Sequence, residues 1–141
     1  MIEDIKELLE SINVKPSVAR VKVMEYLVKY SEHPTVEEIY QQLKPEIPTL
    51  SKTTVYNALE LFAEAQLVKV INVGDNESRY DADTSIHGHF KCNRCGNVYD
   101  FWFDEKEVRV RGLEGFRVED KNFYCRGWCH HCLEKFPIGN N

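Results

Sequence analysis

The chain has 141 residues, 43% hydrophobic and 29% charged, a globular balance with enough apolar surface for one domain or two small ones. No run approaches the ~20 apolar residues a membrane span needs, and the acidic, amphipathic opening MIEDIKELLES is unlike a secretory signal or a transit peptide, so a soluble cytoplasmic protein is expected. Net charge is −5, and neither half is basic: residues 1–74 hold eight Lys/Arg against eleven Asp/Glu, the rest ten against twelve. Charge therefore counts against nucleic-acid binding, and any case for it must rest on architecture.

In chain order, Ile2, Ile5, Leu8, Leu9 and Ile12 repeat at helical spacing. Ser17 is placed to cap a second helix whose apolar positions are Val21, Met24, Leu27 and Val28. Thr35-Val36-Glu37-Glu38 is a capping box opening a short helix through Ile39 and Leu43, which Lys44-Pro45 ends. Ser51 caps a fourth helix, with Leu50 and Val55 at the positions of a hydrophobic staple. That helix buries Val55, Leu59 and Phe62 and presents Thr53, Tyr56, Asn57 and Glu60 on its other face, with Lys52 near its start.

A hairpin follows: β-prone residues 68–73, turn chemistry at 74–78, then an extended Arg79-Tyr80-Asp81. Helix, helix, short turn, helix and hairpin is the order of a winged helix-turn-helix, in which the last helix enters a major groove. Thr, Tyr and Asn suit phosphate and base contacts; Glu60 does not. The same pattern also describes a small helical domain whose polar face is merely solvated.

From about Asp83 the character changes to short β-prone segments at 89–91, 98–103, 116–118 and 123–124, with a short helix or loop at 105–115 and a short tail ending Gly139-Asn140-Asn141. The organisation expected is α+β, with a winged-helix domain over 1–82 and a small zinc-stabilised α/β domain over 83–141.

The strongest chemical signal is the pair Cys92-x-x-Cys95 and Cys129-x-x-Cys132. Two such pairs can place four thiolates tetrahedrally around Zn²⁺, and a closed Cys₄ set leaves no position open for catalysis. A redox dithiol needs only one pair, usually beside a βαβ pattern, and none is visible. The fifth cysteine, Cys125, reads as a packed thiol, and His130 and His131 as exposed neighbours of the second pair. His33, Asp81, His87, His89 and Asp100 form a softer set. His87 and His89 share one face of a strand, and nitrogen and carboxylate ligands suit Fe²⁺ or Mn²⁺ without excluding Zn²⁺. Taken singly, each of these five is more often a surface group than a ligand.

The motifs HPTVEEIY (33–40), TTVYNALELF (53–62), SRYD (78–81), HGHFKCNRCGNVYDF (87–101) and the closing CHHC resemble the ferric uptake regulator superfamily over about Val14 to Cys132. The resemblance implies a dimeric repressor, with a winged helix that binds palindromic operator DNA, and a dimerisation domain held by structural zinc on Cys92, Cys95, Cys129 and Cys132. It implies a regulatory Fe²⁺ or Mn²⁺ on His33, Asp81, His87, His89 and Asp100, preferring Asp81 to Asp83 by its distance from the first histidine. Tyr56 matches a family DNA contact and Arg20 a basic position; with Lys52, Thr53 and Asn57 they are the candidate DNA-binding residues.

Iron-sensing members carry glutamate where Asp100 stands, whereas the peroxide-sensing PerR branch carries aspartate. On that likeness His33 or His87 is the histidine oxidised when a ferrous site meets peroxide. A third family site uses a histidine where this chain has Lys121. Gly88 and Ile86 depart from the family pattern, and the segment 104–115 is short. The alternatives are an iron- or zinc-responsive uptake regulator of the same family, or a zinc-stabilised interaction domain. An enzyme would need an open metal site with a general base, and no such set can be named.

Overall fold

A computed structural model describes residues 1–30, 32–74 and 76–137. The tail Gly139-Asn140-Asn141 and Asp75 of the expected turn lie outside the described residues. The chain divides into two compact units, Met1–Thr84 and Ser85–Asn141.

The first unit carries four helices, α1 (Ile2–Ser11), α2 (Val18–Lys29), α3 (Val36–Leu43) and α4 (Lys52–Glu64), then a hairpin of β1 (Lys69–Ile71) and β2 (Arg79–Asp81). Side-chain oxygens start three of the helices by accepting from orphan amides. Ser17 accepts from Arg20 N at 3.2 Å, Thr35 from Glu38 N at 3.2 Å, and Ser51 from Thr54 N at 3.1 Å. Leu50 and Val55, flanking the third of these caps, are both buried in one core with Met24, Leu27, Ile39, Leu59 and Phe62. Burying each Leu, Ile or Phe of this kind contributes roughly 1.5–3 kcal/mol, which is what fixes the orientation of α4.

One expected core position is corrected: Val28 is 50% exposed, whereas Val23 is fully buried. α2 packs against α1, α3 and α4, so its buried stripe is broader than one helix face and centred away from Val28.

In the hairpin Val70 pairs with Tyr80, whose ring is buried, and Tyr80 N donates to Pro34 O at 3.0 Å. A single bridge pairs Thr35 with Arg79. The hairpin is thereby tied to the loop that opens α3.

The second unit is a three-stranded sheet in the order β4-β3-β5, with β3 (Gly88–Cys92) antiparallel to β4 (Val98–Phe101) and parallel to β5 (Tyr124–Gly127), followed by α5 (His130–Lys135). Its buried cluster is Cys92, Cys129 and Cys132, packed by Phe90, Tyr99 and Trp128. An apolar core this small needs a further staple.

Between β4 and β5 the only regular element among the described residues is a 3₁₀ turn at Glu105–Glu107. The strand expected at 116–118 does not form: Phe116 is 68% exposed and the segment pairs with no strand in this chain. β-propensity reflects fit to a half-buried pleated surface, and without a neighbouring edge it gives no strand. No described helix is long and apolar enough to cross a membrane.

Candidate metal centres and recognition helix

β3 runs directly into the first cysteine pair. Cys92 N donates to Asn97 O and Gly96 N to Cys92 O, both at 3.0 Å, closing a tight turn in which Gly96 takes φ +79°, a region side chains disfavour. Cys129 is the N-cap of α5 and Cys132 lies in its first turn. The four sulfurs lie within 4.8 Å of one another, with Cys92–Cys132 at 3.7 Å and Cys95–Cys129 at 3.8 Å. Tetrahedral zinc with Zn–S of about 2.3 Å has sulfur–sulfur edges of about 3.8 Å, so this thiol set fits zinc.

Electrostatics favours thiolate at two of these positions. Burial pushes the Cys92 thiol up, but the amides of Cys95, Cys129 and Arg94 all donate to its sulfur at 3.4 Å and bring it down to about 5. Cys129 is held down first by a hydrogen bond from the Tyr99 hydroxyl, then by the Cys132 amide. Cys132 is pushed up to about 12, by burial first and then by its sulfur neighbours. Zinc would replace that proton. His130 and His131 are exposed, their ring centroids 4.0 Å apart and tilted by 37°, and Cys125 is half-buried on β5 opposite Phe90.

The histidines and aspartates fall into two groups, each described within its own unit. In the second unit His89 pairs with Asp100 across β3 and β4. Asp100 Oδ1 lies 3.4 Å from Nε2 of both His87 and His89, whose rings are buried. His87 Nδ1 sits 2.8 Å from the Ser85 carbonyl. A carbonyl only accepts, so Nδ1 carries the proton of that contact and Nε2 is the ring nitrogen that faces the carboxylate oxygen. A ring nitrogen facing a carboxylate calls for a proton or a cation between them, and a second partner that fixes the ring is typical of histidine ligands.

In the first unit His33 Nε2 lies 3.5 Å from Asp81 Oδ2, with both side chains buried. His33 has φ 53°, uncommon for a non-glycine residue, and Arg79 Nη1 holds its carbonyl at 3.3 Å. Asp81 Oδ1 accepts from Asp83 N at 2.9 Å, so Asp83 serves Asp81 through its amide.

On α4, Lys52, Thr53, Tyr56 and Asn57 are all exposed, with Tyr56 48% accessible. Lys52 Nζ pairs with Glu37 Oε2 at 2.6 Å. Arg20 is half-buried and its Nη1 donates to Lys15 O at 2.9 Å. Lys121, where the family likeness would put a third-site histidine, instead pairs with Glu105 at 3.3 Å.

Residues 11–125 match the sequence pattern of the ferric uptake regulator family. The chain belongs to that family. It is 38% identical over 138 residues to the peroxide operon regulator of Bacillus subtilis, covering 94% of this chain and 95% of that protein. The fold is shared with the ferric uptake regulator of Helicobacter pylori, with a TM-score of 0.75, 23% identity and coverage of 94% and 93% of the two chains. It is also shared with the peroxide-sensing regulator PerR of Streptococcus pyogenes, at 0.54 and 27%, covering 93% and 92%.

The architecture is thus the family's α+β arrangement, a winged helix followed by a C-terminal dimerisation-type domain. Its Cys₄ set suits structural zinc and its His/Asp donors suit Fe²⁺ or Mn²⁺.

Two contributors escaped the sequence pattern, Tyr99 beside the Cys₄ thiols and the Ser85 carbonyl behind His87. A backbone carbonyl leaves no mark in side-chain identity. Tyr99, seven residues after Cys92 on the returning strand, was legible only once the hairpin register was known.

Proposed function

We propose that this ferric uptake regulator family member is a dimeric repressor of palindromic operator DNA whose regulatory metal makes it a peroxide sensor. In this reading residues 1–82 bind DNA, residues 83–141 dimerise, and His33, Asp81, His87, His89 and Asp100 serve one exchangeable Fe²⁺ or Mn²⁺. The observation that carries it is the placement of Asp100 Oδ1 at 3.4 Å from Nε2 of both His87 and His89, with the far side of His87 tied to a carbonyl. Aspartate at this position is the mark of the peroxide-sensing branch, and peroxide regulators stand among the relatives.

The ligands come from both units, so a shared metal favours whichever arrangement brings them together, by no more than its differential affinity for the two states. The exposed residues Lys52, Thr53, Tyr56 and Asn57 then meet a major groove, with Arg20 on the backbone. Trp102, Val110 and Phe116, at 70%, 64% and 68% exposure, supply apolar surface for a second copy.

Ferrous iron held by His33, Asp81, His87, His89 and Asp100 would activate hydrogen peroxide, the two-electron oxidant, so that one of its oxygens is added to a ligand imidazole and the other leaves as water. His33 and His87 are the expected targets, and loss of either ligand releases the metal. Because the chain consumes its own ligand, it is a single-use switch in the cytoplasm and turns over no substrate.

Brief peroxide treatment of Fe²⁺-loaded and Mn²⁺-loaded protein, followed by peptide mass spectrometry and an operator-binding assay, tests this. One added oxygen on His33 or His87 with iron alone, accompanied by loss of DNA binding, is the expected result. Unmodified histidines with DNA binding intact would overturn peroxide sensing and leave a regulator of metal supply, identified by which metal restores operator binding.

A further inference from the structure

Gly88 stands between the two histidines of β3, and its cross-strand partner on β4 is Phe101. Side chains alternate along a strand, so this pair lies on the sheet face opposite the His89–Asp100 pair. The Phe101 ring folds over the glycine: a methyl built on Gly88 would collide with three ring carbons, the farthest only 2.7 Å away. Gly88 does not have positive φ, so glycine is needed here for space and not for backbone freedom.

The ring is closed in from the other side. Phe123 stands edge-on to it at 5.7 Å and 88°, with Phe103 6.4 Å away. The Phe123 carbonyl also accepts from His89 N at 3.0 Å. Three members of this clamp are therefore tied to a candidate ligand: Gly88 lies between His87 and His89, Phe101 follows Asp100, and the Phe123 carbonyl holds the His89 backbone.

Resting on the metal-site reading above, we propose that Gly88 and Phe101 are a matched pair that sets the separation of β3 and β4, making Gly88 a positioning residue for His87, His89 and Asp100. β3 is hydrogen-bonded on both sides, so a larger side chain at 88 is accommodated by moving β4 or turning Phe101 off its rotamer. Either movement carries Asp100 away from the two imidazoles. The Cys₄ cluster at the far end of β3 does not involve this contact.

The test compares wild type with Gly88→Ala, Gly88→Val and the double variant Gly88→Val with Phe101→Ala. Mn²⁺ affinity is read by electron paramagnetic resonance, zinc per chain by metal analysis, and the His87 and His89 rings by ¹⁵N NMR. Gly88→Val should weaken Mn²⁺ binding by about tenfold or more while keeping its zinc, with Gly88→Ala intermediate and the double variant recovering most of the loss. Undiminished Mn²⁺ affinity in Gly88→Val, or a double variant no better than it, would overturn the proposal. So would loss of zinc together with Mn²⁺ in both glycine variants, which would assign Gly88 to folding of the whole unit.

If wild type itself binds no Mn²⁺, the metal-site reading fails. The positioning role is then decided by NMR: ring resonances displaced in Gly88→Val and restored in the double variant support it, and unmoved resonances overturn it.

Discussion

The Tyr99 hydroxyl donates to the Cys129 sulfur, and each group shifts the other, holding the thiol down and the phenol up. Thiolate sulfur in a metal site keeps lone pairs that need donors, and Cys92 meets that need with three amides. Cys129 uses the phenol. Tyr99→Phe removes the donor and little volume, so zinc should remain at one per chain while its affinity falls about tenfold, as for other partners behind a metal ligand. Competition against a zinc-binding dye measures this; an unchanged affinity would limit Tyr99 to packing against the cysteines.

Zinc removal should act on one unit alone. The buried cluster of the second unit consists of three of the four thiols, whereas the first has a core of Leu, Ile, Val, Met and Phe. Binding free energy in such a small unit is largely folding free energy. Under reducing conditions a zinc chelator should lower amide protection in β3 and β5 without abolishing it, and leave that of α2 and α4 intact. Hydrogen exchange read by mass spectrometry decides it, and undiminished protection in β3 would show that the sheet draws no stability from its metal.

How much of this was legible beforehand varied with the range of the interaction. The caps at Ser17, Thr35 and Ser51 are local patterns, and each accepts the amide three residues on, while Leu50 and Val55 share one core; the returning bond from Glu38 that a capping box adds is not among those of the described residues. The cysteine spacing likewise brings four sulfurs together. Val23 replaced Val28 in the core because three helices surround α2, a fact of tertiary packing that one helical period does not contain. The segment 116–118 has β-prone residues but joins neither sheet among the described residues. The fit of Phe101 over Gly88 depends on cross-strand register, and in the sequence Gly88 stands out only as a departure from the family pattern.

The thiols also give a pH dependence. In the zinc-free, reduced chain Cys92 has a folded value of about 5 against an ordinary 9.0. Between those values the unfolded chain holds a proton that the folded chain does not, so stability rises with pH through this window and is lost as pH falls towards 5. Cys132, raised to about 12, acts with the opposite sign only above its ordinary 9.0. Comparing wild type with Cys92→Ser cancels groups common to both. Their difference in urea midpoint should grow steadily in favour of wild type from about pH 5.5 to 8.5. A difference flat with pH would mean that the three amides do not hold a thiolate at Cys92.

Lys52 and Glu37 give the sharpest test of the recognition helix. Lys52 is the first residue of α4, where both its charge and the helix N-terminus favour a phosphate, yet its Nζ is paired with Glu37 at 2.6 Å. Glu37 is held in place by Gln41, whose Nε2 donates to Oε1 at 3.0 Å. Lys52 can meet a phosphate only by leaving or sharing this carboxylate, which itself repels the DNA backbone. Glu37→Gln should therefore tighten binding to operator and scrambled duplex alike, and steepen the slope of log K against log salt by about one counterion. The gain is independent of sequence, so the ratio of specific to non-specific affinity should not rise. The pair is largely solvent-exposed, so thermal stability should change little. Fluorescence anisotropy over a salt series with both duplexes reads each quantity. A tighter complex with an unchanged salt slope would mean that Glu37 acts by repulsion alone and that Lys52 does not contact phosphate.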